Sequence, residues 1–175
     1  MRKIMFIGRS ESGKTTLTQA MRGERITYNK TQYINHFDVV IDTPGEYIQS
    51  KNLVSALACF TAEADVVGLL MDCTEPYSLY SPNLAPVCNR EVVGIVTKID
   101  HWAAQPRQAA VWLELAGCQK IFYTSAYTGE GIADILSYLK EERDVLPWEE
   151  VKSQYDELGF GAGESEKDKS RFHNL

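Results

Sequence analysis

Five short apolar runs alternate with amphipathic stretches along the first 140 residues of this chain. Residues 3–7, 37–41, 66–71, 92–96 and 120–123 read as strands. Most are near-continuously apolar rather than alternating, as expected of strands covered on both faces. Between them, residues 14–21, about 51–61, 105–116 and 131–139 read as helices. In the last, Ile132, Ile135, Leu136 and Leu139 fall at i, i+3, i+4 and i+7, one apolar stripe. Gly117, just past the third helix, suits a left-handed C-terminal cap. The alternation predicts an α/β domain with a mostly parallel sheet.

The pattern stops after Lys140. Residues 141–175 lose strand patterning and end in a polar, Gly-containing stretch that predicts disorder. Within them, Trp148, Val151, Tyr155 and Leu158 share a helical face, so 148–158 is expected either as a short amphipathic helix that docks on its own domain or on a partner, or as disordered chain. The expected organisation is a domain over 1–140 and a tail over 141–175.

Composition adds exclusions. Apolar residues make up 44% and charged residues 24%, ordinary for a globular chain, and no apolar run nears the roughly 18 residues of a membrane helix. Most of the net charge of -6 sits in the tail: residues 1–140 carry 13 basic and 14 acidic side chains, residues 141–175 carry 5 and 10. Neither part has the basic footprint of a nucleic-acid binder. Cys59, Cys73, Cys88 and Cys118 are widely spaced, without a C-x-x-C pair, and read as free thiols of a reducing cytoplasm.

Chemistry enters at GRSESGKTTL, the spacing G-x-x-x-x-G-K-[ST] between the first strand and first helix. Such a loop points backbone N–H groups at a phosphate at a helix N-terminus. Gly8 turns the chain out of the strand and Gly13 allows close backbone approach. Lys14 reaches the β- and γ-phosphates, and Thr15 offers a Mg²⁺ ligand. The nucleotide loop is thus Gly8, Arg9, Ser10, Glu11, Ser12, Gly13, Lys14, Thr15 and Thr16. An acid at Glu11 is unexpected there; an outward side chain, reaching solvent, a cation or the adjacent Arg9, resolves the conflict. Arg9 is either that surface ion-pair partner or a built-in arginine finger.

Companions follow in order. Asp42-Thr43-Pro44-Gly45 ends the second strand, where Asp42 can hold Mg²⁺ through water and the Gly45 N–H can meet a γ-phosphate. Thr97-Lys98-Ile99-Asp100 follows the fourth strand. The Asp100 carboxylate can accept both N1–H and N2–H of guanine, while the Lys98 stem lies over the base. Ser125-Ala126, after the fifth, can offer N–H groups to guanine O6. A threonine for Mg²⁺ and the γ-phosphate is expected between the loop and Asp42, and Thr31 is preferred to Thr27. Thr31 and Asp42 are only eleven residues apart, too few for a full hairpin. This predicts a shortened second strand and a five-stranded sheet, or six with a small edge strand.

In order and spacing these elements resemble the small Ras-like P-loop GTPases of the translation-factor-related class, over about residues 3–140. The stretches KIMFIGRS, GKTTLTQA, YNKTQ, IDTPGEY and TKID resemble most closely the EutP/PduV family of ethanolamine and propanediol utilisation proteins. That family is associated with bacterial microcompartments, and some members are described as acetate kinases. The resemblance implies a Ras-like G domain, GTP or GDP with Mg²⁺ held by Thr15, Thr31 and Asp42, and a cytoplasmic, microcompartment-linked role with shell or cargo partners. Lys14, Thr31 and Glu46 are then the residues expected at the reacting phosphate.

Two further departures qualify this. Glu46 stands where Ras-like enzymes place a water-orienting glutamine, which implies slow hydrolysis. Thr97 stands where Asn is commoner, keeping one hydroxyl to bridge the base loop to the phosphate loop. An ATP-dependent acetate kinase and a microcompartment adaptor with a vestigial site are the alternatives.

Overall fold

The computed structural model describes residues 1–22, 40–42, 64–142 and 144. The chain divides into two units, Met1–Glu141 and Glu142–Leu175, and all elements below belong to the first. They run β1 (Ile4–Ile7), α1 (Lys14–Met21), β2 (Val40–Asp42), β3 (Val66–Asp72), a 3₁₀ turn (Ala85–Val87), β4 (Glu91–Thr97), α2 (Pro106–Leu115), β5 (Ile121–Tyr123) and α3 (Ile132–Leu139). The expected helix at 51–61, Cys59 and the helix at 148–158 lie outside the described residues.

The five strands form one sheet ordered β2-β1-β3-β4-β5, and every pairing is parallel. Ile4 faces Val40 on one side and Val66 on the other, so β1 is interior. All four β1 residues and all seven of β3 are buried, which explains their continuous apolar runs. Successive side chains point to opposite faces. Met5, Ile7, Val67, Leu69 and Met71 join Ala109, Ala110 and Leu113 of α2 in one core cluster. The alternate residues Ile4, Phe6, Val66 and Leu70 are equally buried.

The second helix, α2, begins and ends for local reasons. Pro106 opens α2, where its missing N–H costs nothing. At the other end the Gly117 N–H donates to the Glu114 carbonyl (2.9 Å) and the Cys118 N–H to the Leu113 carbonyl (3.0 Å). That paired closure needs a left-handed residue, and Gly117 has φ +98°. In α3 the buried residues are Ile132, Ile135, Leu136 and Leu139, each contributing about 1.5–3 kcal/mol of burial. Cys73, Cys88 and Cys118 are free and buried. No described helix is long and apolar enough to cross a membrane.

The stretch 75–86 contributes to the core. Tyr80 is buried, and its hydroxyl lies 2.9 Å from the Ile7 carbonyl oxygen and 2.7 Å from that of Leu70. It therefore ties the exit of β1, the residue before Gly8, to β3. Burial holds this phenol far above its ordinary pKa.

Candidate functional site

The site lies where the parallel strands end. β1 delivers Gly8 into a loop that α1 closes. An added Cβ at Gly8 would sit 2.4 Å from the Ser12 hydroxyl oxygen and 3.0 Å from Leu70 Cβ, so only glycine fits without displacement. Left-handed backbone at Glu11 (φ +66°) and Gly13 (φ +91°) curls the loop, the Ser12 N–H donates to the Arg9 carbonyl at 3.2 Å, and the Gly13 carbonyl receives the Leu17 N–H at 2.8 Å. The strained φ at Glu11 falls where backbone strain is commonly stored for function. Inside the curl, buried Lys14 donates from Nζ to the Gly8 carbonyl (2.7 Å) and the Arg9 carbonyl (2.6 Å). A cation is thereby held at the loop that the sequence predicts to face phosphate.

Around this centre, Ser10, Glu11 and Thr15 are exposed, while Thr16 is half-buried. The exposed Glu11 agrees with an outward carboxylate. Of the three partners open to it, Arg9 is engaged elsewhere. The Arg9 guanidinium instead binds Glu75 Oε2 at 2.8 Å and lies over the Tyr77 ring, 5.7 Å from its centroid. The stretch after β3 brings a carboxylate and an aromatic face together there, a combination solvent-facing Glu11 does not offer. Among the described residues, the Ser12 hydroxyl is the one buried side-chain polar atom without a hydrogen-bond partner. It lines a hollow of about 340 Å³ bounded also by Arg9, Leu70, Asp72, Glu75 and Tyr80.

On the other flank a cleft of about 650 Å³ opens between Gly13 and Thr16 of the phosphate loop, Thr97, Lys98 and Asp100 after β4, and Ala126 after β5. Thr97 is buried and its hydroxyl donates to the Ser12 carbonyl at 2.8 Å, joining the two loops directly. Lys98 has φ +60°, and its ammonium forms a 2.6 Å ion pair with Asp72 Oδ2. Burial pushes the Asp72 carboxyl up, but bonds from Lys98 and from the Thr74 N–H and hydroxyl outweigh it and hold it below its ordinary value. Asp100 is exposed at the cleft.

Ser125 departs from its expected part. It is fully buried, its N–H donates to the Glu130 carbonyl at 3.1 Å and its hydroxyl accepts from the Thr128 N–H at 3.1 Å. The loop thus uses Ser125 to fold itself and leaves Ala126 at the cleft. His101 and Tyr127 line the same cleft and were not read from the sequence. Their one available signal was adjacency to Asp100 and Ala126. The described backbone of Asp42 pairs with Phe6 of β1, one strand from the phosphate loop. Thr31, Gly45 and Glu46 lie outside the described residues.

Three interior parallel strands, with a loop after the first closing on a lysine, define a P-loop domain of the Ras-like G-domain fold. The G domain of the T. maritima FeoB iron transporter superposes with a TM-score of 0.53 at 23% identity, covering 79% of this chain and 96% of that one. The chain belongs to the PduV–EutP family, ethanolamine utilisation – propanediol utilisation, whose model matches residues 1–141. It is 44% identical over 142 residues to the propanediol utilization protein PduV of Citrobacter freundii, covering 79% of this chain and 93% of that protein. To the probable acetate kinase EutP of Escherichia coli K12 it is 25% identical, covering 79% and 89%. GTPase Era of Mycolicibacterium smegmatis is 31% identical, but the chain spans only 53% of its length.

Proposed function

We propose that the chain binds guanine nucleotide with Mg²⁺ and hydrolyses it slowly, as a switch or assembly factor for a microcompartment handling ethanolamine or propanediol. The observation that carries the nucleotide part is the cleft holding Asp100, tied to the phosphate loop by the Thr97 hydroxyl. Phosphates would meet the 8–16 loop and Lys14, and the guanine edge would meet Asp100 and the Ala126 backbone. The similarity to GTPase Era supports the guanine assignment.

Thr15, Thr31 and Asp42 supply hydroxyl and carboxylate oxygens, a donor set that fits a small hard cation. Bound there, Mg²⁺ would neutralise phosphate charge. Glu46 can accept a hydrogen bond from an attacking water but cannot donate one to the γ-phosphate, so turnover is slow. The microcompartment role, with shell or cargo proteins as partners, rests on the family and its PduV and EutP members.

Titration with labelled GTP and ATP, with and without Mg²⁺, tests this reading. Guanine preference is expected, and equal or exclusive ATP affinity overturns it. Asp100→Asn should then lose guanine and gain xanthine nucleotides, because xanthine carries a carbonyl where guanine carries the amine that the carboxylate accepts. The EutP relatives named as probable acetate kinases favour a second reading, phosphoryl transfer from ATP to acetate. Acetyl phosphate formed from ATP and acetate would establish it. If the Mg²⁺-loaded protein binds neither nucleotide, the adaptor reading stands.

A further inference from the structure

We propose that Asp72 is a positioning residue for base recognition, clamping Lys98 so that the segment carrying Asp100 is held at the cleft. The inference rests on the guanine-binding reading above and concerns a residue outside the motifs that suggest it.

The geometry has three parts. First, Asp72 and Thr97 are register partners at the ends of β3 and β4, and the Cys73 N–H donates to the Thr97 carbonyl at 3.2 Å. The Asp72 carboxylate therefore sits beside the exact point where the chain leaves β4 for Lys98. Second, Lys98 adopts a left-handed backbone conformation at φ +60°. A side chain with Cβ resists that conformation, so something outside the residue must hold it. Third, the hold is present: Lys98 Nζ lies 2.6 Å from Asp72 Oδ2, while Asp72 Oδ1 accepts from the Thr74 N–H (2.9 Å) and hydroxyl (2.7 Å).

Asp72 is 5% exposed and braced on its far side by Thr74, so it is the fixed member of the pair. Lys98 is the adjustable one, its side chain 40% exposed. The left-handed turn at Lys98 sets the direction of Ile99 and Asp100, and the His101 N–H closes it on the Lys98 carbonyl at 3.0 Å. Thr97 fixes where the base loop starts; Asp72 fixes which way it goes. The stem of Lys98 still lines the cleft, but its charge is already matched.

The test uses the full chain, with GDP and inosine diphosphate as probes. Inosine lacks the exocyclic amine, so the affinity ratio of the two reports how well Asp100 is placed. Asp72→Asn keeps the shape and an acceptor for Thr74 but removes the charge that holds Lys98. The ratio is expected to fall about tenfold, the scale of one charge-assisted bond. Lys98→Met should lower it similarly, and the double variant should be no worse than either single one. An unchanged ratio in Asp72→Asn, even with reduced thermal stability, overturns the proposal and leaves the guanine reading intact. A wild-type protein that does not discriminate the probes overturns both. If Asp72→Asn fails to fold, Lys98→Met carries the test: a lowered ratio supports the clamp, and a retained ratio overturns it.

Discussion

Replacing Thr97 by valine isolates the bond that joins the two nucleotide loops. The substitution keeps a branched side chain and exchanges only the hydroxyl, which donates to the Ser12 carbonyl at 2.8 Å, for a methyl. Thr97 is 4% and Ser12 3% exposed, so solvent does not readily replace the lost donor. An acceptor left unsatisfied in such a place costs about 1–3 kcal/mol. The new methyl returns at most about 0.8 kcal/mol of apolar burial. A net loss of up to about 2 kcal/mol lowers Tm by up to about 8 °C for a chain of this size. Because Ser12 belongs to the phosphate loop, nucleotide must also re-order that loop on binding, and affinity for Mg²⁺–GDP should fall by up to about tenfold. Urea melts with an unchanged m value, run with and without nucleotide, measure both effects. A variant with the wild-type midpoint and wild-type affinity would refute the idea that the loops are mechanically joined.

Tyr80→Phe removes the hydroxyl shared by the Ile7 and Leu70 carbonyls and should cost about 1–3 kcal/mol in the same melts. The Tyr80 phenol is raised above its ordinary value of 10.0 by burial, so the folded state keeps a proton that the unfolded state gives up. Its contribution is intact below about pH 10 and lost as pH rises further; wild type should weaken more steeply there than Tyr80→Phe. At the acid end, the hydrogen bond from the Tyr138 hydroxyl, followed by the ion pair with Arg2, holds Glu91 below its ordinary 4.5, while burial opposes them. Asp72 is likewise held below 3.8. Lowered carboxyls stabilise above those values, so stability should decline as pH falls below about 4.5, and Arg2→Ala should flatten part of that decline.

How far these features can be read from the chain depends on the range of the interaction. α1 occupies the predicted 14–21, and the buried stripe of α3 is the predicted Ile132, Ile135, Leu136 and Leu139, because both rest on local periodicity. The fully buried β1 and β3 announce themselves as unbroken apolar runs, and a strand is found at each of the five runs. Thr97 reaching the phosphate loop follows from chemistry at a recognisable motif. The partners of Arg9 and Lys98 did not follow. Glu75 lies 66 residues beyond Arg9, and Asp72 precedes Lys98 across a strand pairing that no local pattern specifies. Tyr80 was hidden differently, as one aromatic ring in a Pro- and Tyr-rich stretch without helix or strand periodicity.

The interior place of β1 has a consequence in time. The segment that carries the phosphate loop is synthesised before both its neighbours: β2 and β3 begin 36 and 62 residues further along the chain. Closing loops of that length is entropically unfavourable and slows folding relative to local contacts. During synthesis, α1 can be sampled early, but the strand exit that orients Gly8 has no lateral support until β3 has emerged and docked. The most recognisable stretch of the sequence therefore acquires its shape only after a strand 62 residues further along has joined it, and the competence to hold a ligand arrives with the sheet.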